Sequence, residues 1–282
     1  MKNTTVIIKD LKHFDIVKTL ESGQCFRWEK KDDRQFVGTA YHRTISIGQI
    51  GNDIYIDNTN EHDMKYIWTP YFDLDRDYEK IIRVLSEDDI MKKAIEFSGG
   101  IHHLRQQPFE TLITFIISSN NNIPRIKKII KKLSEDHGEG IEYSKDIHYS
   151  FPSAEKLAAS KKQEIDTCKA GFRCSYIHKT AMMVHELKYD FRQLAVMPYL
   201  DARESLKQFA GVGDKVADCV LLFTGMKTES FPVDVWVKRV MEDLYLTKDT
   251  SLSEINQFGR DKFKEYAGFA NTYLFNYIRN ME

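Results

Sequence analysis

The stretch Leu206-Lys-Gln-Phe-Ala-Gly-Val-Gly-Asp-Lys-Val-Ala-Asp-Cys219, followed by Phe231-Pro-Val-Asp-Val-Trp236, decides how this chain is read. The run up to Phe209 reads as the end of one helix. Gly211-Val212-Gly213 reads as a tight turn, since paired glycines take up backbone conformations that other residues resist. Asp214 is expected to cap a second, apolar helix that runs from Lys215 to Phe223. The turn then aims free backbone N–H groups outward at a helix N-terminus, which suits a phosphate.

Lys215 falls in the first turn of that second helix. The positive end of the helix dipole disfavours an ammonium there, and a lysine that is neutral part of the time can act as a nucleophile. Cys219 lies one turn further on, on the same helix face. Asp234 follows Pro232 and precedes the apolar run Val235 to Leu244, so it too sits at an expected helix start, where backbone donors surround its carboxylate. An amine facing a fixed carboxylate beside a phosphate grip points to chemistry on a nucleic-acid sugar. Each part has a plainer reading when taken singly. Lys215 reads as a solvated surface lysine, Asp234 as an N-cap and Cys219 as a small core residue. The glycine pair is not a dinucleotide fingerprint, because Val216 stands where the third glycine belongs and a helix precedes the turn; Walker A spacing is absent as well. The specificity lies in the combination.

That combination resembles the helix-hairpin-helix, Gly/Pro-rich loop and aspartate of base-excision DNA glycosylases, and within that superfamily the lysine-bearing 8-oxoguanine DNA glycosylases. The resemblance covers essentially the whole chain, although the β-rich part beyond Ser22 to Trp28 is matched only by layout. It implies an α+β fold, with an antiparallel β-rich N-terminal domain over residues 1–76. An all-helical body follows over residues 77–282, with the helix-hairpin-helix at about 203–223.

The patterning of the chain agrees with that layout. In Thr44-Ile-Ser-Ile-Gly-Gln-Ile50, Ile45 and Ile47 fall on one face and Ile50 breaks the phase; Ile54 and Ile56 alternate in a second run, with Lys31-Asp-Asp33 and Gly51-Asn-Asp53 as turns. Beyond Asp77 the apolar spacing becomes helical: Ile81 to Leu85, Ile90 to Phe97, Phe109 to Ile117, Ile123 to Leu133, Ala154 to Ala159 and Ile177 to Leu187. Gly138 to Phe151 is expected to be a long loop.

Composition excludes several classes. The 282 residues are 42% hydrophobic and 29% charged, which is ordinary for a soluble globular protein. No apolar run approaches the ~20 residues of a membrane span. Met1 to Asp10 is too short in apolar core for a signal peptide, so a cytoplasmic setting is expected, at the nucleoid if the source is bacterial. Cys25, Cys168, Cys174 and Cys219 are sparse, lack zinc-ligand spacing and fit a reducing compartment. No cysteine follows Cys219, which excludes the C-terminal iron–sulfur loop of some glycosylase relatives. The formal charge of −1 rules out a DNA-coating basic protein, so contacts to nucleic acid must be local. One candidate is Arg125-Ile-Lys-Lys-Ile-Ile-Lys-Lys132, whose lysines lie opposite an isoleucine stripe.

The resemblance assigns roles elsewhere in the chain. In Phe115-Ile-Ile-Ser-Ser-Asn-Asn-Asn-Ile-Pro-Arg125, Asn122 is expected to cap the next helix. Asn120 would fill the gap left by an extruded nucleotide, and Arg125 would read the orphaned cytosine, whose adjacent acceptors match an all-donor guanidinium. In Gly171-Phe-Arg-Cys174, Arg173 would be the second cytosine reader and Phe172 the wedge, where many relatives have tyrosine. In Ser22-Gly-Gln-Cys-Phe-Arg-Trp28, the carbonyl of Gly23 would accept from N7–H of 8-oxoguanine and repel the N7 lone pair of guanine. In Tyr266-Ala-Gly-Phe-Ala-Asn-Thr-Tyr-Leu-Phe275, Phe275 would stack on the flipped base with Cys219 on its other face. Asn271, a glutamine in many relatives, would hold the pairing edge. Trp236 stands where a phosphate-touching histidine is common.

The implied partner is double-stranded DNA with 8-oxoguanine opposite cytosine, bound by a monomer. The implied reaction is base removal by Lys215 with Asp234 stabilising charge on the sugar, then β-elimination through a Schiff base. No cofactor is required. The hairpin would bind one structural cation through carbonyls near Lys207, Phe209 and Val212. Two other readings compete. A glycosylase for alkylated bases keeps the aspartate but normally lacks the lysine. A non-catalytic hairpin module leaves Asp234, Asn120 and the C-terminal pocket unexplained.

Overall fold

The computed structural model describes residues 4–280; Met1 to Asn3 of the expected β-rich region lie outside them. Five strands, β1 (Thr4–Ile8), β2 (Trp28–Asp32), β3 (Gln35–Ala40), β4 (Arg43–Ile50) and β5 (Asp53–Thr59), form one antiparallel sheet in the order β1-β5-β4-β3-β2. Strands β2 to β5 are a meander, while β1 returns to pair with β5 at the far edge. Register follows the period-2 pattern: Ile47 pairs with Ile56, and Ile45, Ile47, Ile54 and Ile56 are all buried. Each such side chain contributes roughly 1.5–3 kcal/mol on burial. Ile50, out of phase, is exposed beside the Gly51–Asn52 turn.

The strand reading of the first third is incomplete. A helix, Ile16–Glu21, precedes β2, and Glu61 to Tyr71 forms successive helical turns, including a wide π-type turn at Met64–Trp68. Asp15 caps the first helix by accepting from Lys18 N. Trp68, Tyr71 and Phe72 then close the sheet's inner face beside Trp28, whose ring N–H donates to Tyr71 Oη at 2.9 Å.

The helical body holds two further cores. One gathers the apolar faces of Pro108–Ser118, Ile123–His137, Arg173–Glu186, Tyr199–Lys207 and Asp214–Phe223. The other joins Tyr78–Leu85 and Asp89–Ser98 to Val235–Leu244, Leu252–Phe263 and Ala267–Arg279. The expected loop from Gly138 to Phe151 is instead a hairpin of β6 (Gly140–Tyr143) and β7 (Asp146–Tyr149), with Ser144 at the turn in a left-handed conformation. Its short, half-exposed strands carry too little apolar alternation to announce themselves.

Candidate active site

The helix that carries Lys215 begins one residue earlier than the cap reading implies. Gly213 occupies the N-cap position with extended backbone, and Asp214 is the first helical residue. The carboxylate of Asp214 turns back to the preceding helix, 2.8 Å from Lys207 Nζ and 2.9 Å from Arg203; the Lys207 hydrogen bond holds it below the usual carboxylate range. Only Gly211 needs glycine's freedom. Its φ is +81°, and a Cβ there would sit 2.5 Å from the Tyr176 ring. Gly213 has an ordinary φ of −104° and nothing within 4 Å of a Cβ. The turn is therefore open to solvent at Gly211 and Gly213, in front of helix N–H groups that have no intrahelical partner.

Lys215, Cys219 and Phe223 recur at one-turn spacing and line one wall of a cavity of about 70 Å3. Gly23, Phe115, Asp234, Asn271, Thr272 and Phe275 complete most of the rest. The structure thus brings Lys215, Asp234, Gly23, Cys219, Asn271 and Phe275 together from four separate segments. Lys215 Nζ lies 5.3 Å from the centre of the Phe115 ring, an apolar neighbour that the sequence reading did not single out. Asp234 caps the Val235–Leu244 helix: its Oδ1 accepts from Trp236 N at 3.0 Å and Val237 N at 2.9 Å. Cys219 is buried, and that burial pushes its thiol up to about 11, so it presents a neutral, polarisable surface.

Two amides fix the approach to Asp234. Asn256 Nδ2 donates to Phe231 O and Asn271 Nδ2 donates to Pro232 O, each at 2.8 Å. That bond orients the Asn271 amide and leaves its Oδ1 without a donor among the described residues. Asn256 also donates to Asp218 on the hairpin helix at 3.0 Å. Burial raises Asp218 to about 6, against the opposing influence of Arg203 and Tyr199. Gly23 sits at φ +90° directly after the first helix's C-terminal turn. Its neighbour Gln24 is buried and spans the loop, donating to Thr19 O and His102 O and accepting from Leu104 N at 2.8 Å. Gln24 lay inside the quoted string, but no motif marked it as the anchor.

A second cluster lies on the loop between Ser118 and Ile123. Asn122 caps the following helix by accepting from Arg125 N at 3.0 Å, and Asn121 donates to Ile117 O at 3.1 Å. Asn120 holds the left-handed conformation, φ +48°. Arg173 is buried and donates to the carbonyls of Ser119 and Asn120. Burial, and then the charge of Arg125, lower its guanidinium. The Phe172 ring is 65% exposed, 4.5 Å from the Arg173 guanidinium and 5.7 Å from Tyr176, the residue that backs Gly211. Asn120, Arg173 and Phe172 thus share one surface loop cluster, with Arg125 exposed beside them. The lysine face of the same helix is largely committed within the protein: Lys131 pairs with Glu29 at 3.1 Å, Lys132 with Asp136 at 2.5 Å, and Lys127 donates to Trp28 O at 3.4 Å.

Among the described residues, no group of three or more His, Cys, Asp or Glu side chains is placed to hold a metal ion, and no helix is long and apolar enough to cross a membrane.

Comparison with known proteins finds two family models. One, described as 8-oxoguanine DNA glycosylase, N-terminal domain, matches residues 6–112; the other, HhH-GPD superfamily base excision DNA repair protein, matches residues 113–265. A probable N-glycosylase/DNA lyase of Methanothermobacter thermautotrophicus is 31% identical, over 74% of this chain and 72% of the relative. The N-glycosylase/DNA lyase of Saccharomyces cerevisiae is 30% identical, over 82% of this chain and 68% of that protein. The crystal structure of Clostridium acetobutylicum 8-oxoguanine glycosylase/lyase, in complex with double-stranded DNA containing cytosine opposite 8-oxoguanine, superposes with a TM-score of 0.95 at 41% identity. It covers 98% of this chain and 96% of that one.

Proposed function

This chain belongs to the HhH-GPD superfamily of base excision DNA repair proteins, in its 8-oxoguanine glycosylase branch, and from that premise we propose how it works. It is a bifunctional N-glycosylase and DNA lyase that removes 8-oxoguanine from duplex DNA and cleaves the abasic site. The observation that carries the residue assignment is the single pocket lined by Lys215, Asp234, Cys219, Asn271, Phe275 and Gly23.

In the proposed mechanism, the Gly211–Gly213 turn takes backbone phosphates on its free N–H groups. Phe172 and Asn120 hold the duplex open, and Arg125 and Arg173 meet the unpaired cytosine. For Arg173 this requires release from the carbonyls of Ser119 and Asn120. The lesion turns into the pocket, because the glycosidic carbon is out of reach within the stack. There Phe275 and Cys219 flank the base, Asn271 meets its pairing edge, and the Gly23 carbonyl accepts from N7–H. The Lys215 amine attacks the glycosidic carbon: the new C–N bond forms as the bond to the base breaks, and the base departs with its electron pair and takes up a proton. Asp234, held by two backbone donors, stabilises the positive charge that develops on the sugar. The nitrogen then gives up a proton, the C1′–O4′ bond of the sugar breaks and O4′ is protonated; the iminium that results makes the neighbouring carbon acidic, and loss of that proton expels the 3′ phosphate.

Double-stranded DNA with 8-oxoguanine opposite cytosine is the proposed substrate, a monomer the proposed active form and the cytoplasm its proposed setting, at the nucleoid if the source is bacterial. The chemistry needs no redox or organic cofactor and no iron–sulfur cluster. Carbonyls of Lys207, Phe209 and Val212 are the proposed ligands of a structural cation; Phe209 O already accepts from Val212 N at 3.1 Å and has a second lone pair free. Incubating the protein with a labelled 8-oxoguanine:cytosine duplex tests the reading: release of the free base and a nick 3′ to the lesion are expected, and an intact strand with base retained contradicts it.

A further inference from the structure

The wall of the pocket holds two polar side chains that the mechanism above does not use, Ser22 and Thr272; the Ser22 hydroxyl is already committed, donating to Thr19 O and accepting from Gln24 Nε2, each at 3.0 Å. Thr272 lines the cavity next to Asn271, and its Oγ1 lies 2.8 Å from Nε2 of His103. His103 is buried, with its ring stacked on Phe269 at 4.2 Å and 6°. Its Nδ1 is buried and has no hydrogen-bond partner. Burial also drives the imidazole down to about 3, so it is neutral and carries a single ring proton. An unpartnered buried lone pair costs less than an unpartnered buried N–H. The proton therefore sits on Nε2 and is donated to Thr272. Among the described residues the Thr272 hydroxyl has no other partner, which leaves its own proton free. Asn271, by contrast, is oriented by the one N–H it donates to Pro232 O, and its Oδ1 accepts no hydrogen bond among the described residues. Two consecutive residues thus present one acceptor and one donor.

We propose that Thr272, oriented by His103, is a specificity-determining residue of the base pocket that donates its hydroxyl proton to a carbonyl oxygen of the extruded base. This rests on the glycosylase reading given above. An oxidised guanine offers N1–H beside the 6-oxo group, one donor and one acceptor, in register with Asn271 Oδ1 and the Thr272 hydroxyl. An oxidised adenine reverses both, with an acceptor at N1 and a donor at the 6-amino group. A site committed to one polarity rejects the other, because its buried polar groups would be left unpaired. His103 acts as the positioning residue: it occupies the acceptor side of the threonine and forces the donor outward.

The test measures the affinity of the Lys215→Gln protein for duplexes carrying 8-oxoguanine or 8-oxoadenine opposite cytosine, so that binding is read without turnover. Adding Thr272→Val is expected to shrink the preference for 8-oxoguanine about tenfold, the scale of one buried hydrogen bond, and Thr272→Ser to restore it. His103→Leu should shrink it likewise, and His103→Gln, which keeps a donor at the Nε2 position, should restore it. A preference unchanged by Thr272→Val, or both affinities lowered by the same factor, would overturn the assignment. A wild-type protein that releases no 8-oxoguanine would instead overturn the glycosylase reading itself.

Discussion

Each residue of the pocket has a job that a small substitution separates from folding. Asp234 caps a helix and faces the pocket, so both roles reside in one carboxylate. Asparagine caps about as well as aspartate but carries no charge. Asp234→Asn should leave thermal stability nearly unchanged, within about 0.5 kcal/mol, while slowing base release about 100-fold or more. Single-turnover kinetics beside a melting curve checks this, and equal losses in both would contradict the charge-stabilising role. Gly23→Ala should be costly for a different reason. Its φ of +90° strains any side chain, by about 1 kcal/mol or more. The same change moves the carbonyl proposed to recognise N7–H, so lesion affinity should fall more than undamaged-DNA affinity. Lys215, Cys219 and Asp234 were legible in the sequence because they sit inside contiguous strings with regular spacing. Phe115, Phe223 and Thr272 were not. Apolar residues on buried helices look alike in sequence whether they face a core or a cavity, although Phe223 continues the Lys215–Cys219 spacing. Thr272 becomes notable only through His103, far away in the chain.

The hairpin is the element whose two glycines come apart most clearly. Gly211→Ala meets both a positive φ and the Tyr176 ring, so it should destabilise the fold by ~1–3 kcal/mol and weaken DNA binding as a consequence. Gly213→Ala meets open space at an ordinary φ. It should leave the melting temperature unchanged and still weaken DNA binding, because the added methyl stands where a phosphate must approach. Binding isotherms and melting curves on the two variants separate these outcomes, and identical behaviour would contradict the phosphate grip. The sequence placed the turn correctly and its cap wrongly, since an extended glycine N-cap leaves no side-chain signature and Asp214 is the sort of residue that caps. The β6–β7 hairpin escaped notice for a similar reason: its strands are short, polar and half exposed.

The whole molecule carries a buried histidine pair where its cores meet. His102 stacks on Tyr78 at 3.6 Å and His103 on Phe269, and burial lowers them to about 4 and about 3. Both folded values lie below the ordinary 6.5, so the unfolded chain binds these protons first. Their contribution to stability is full above pH 6.5 and is lost as pH falls toward 4 and then 3. At roughly 1.4 kcal/mol per pKa unit the pair accounts for several kcal/mol. Urea unfolding followed from pH 7 to pH 4 should show that decline, and His102→Phe should flatten part of it; a pH-independent midpoint contradicts the assignment. The antiparallel sheet before a helical body was legible from the change of period near Asp77, but the convergence of five distant segments on one cavity is a property of packing that no local pattern encodes. That convergence is what the account stands on, and borohydride trapping on a duplex with 8-oxoguanine opposite cytosine tests it most directly. The account predicts a covalent protein–DNA adduct with the wild type and none with Lys215→Gln. No adduct with the wild type, or an undiminished one with Lys215→Gln, would contradict it.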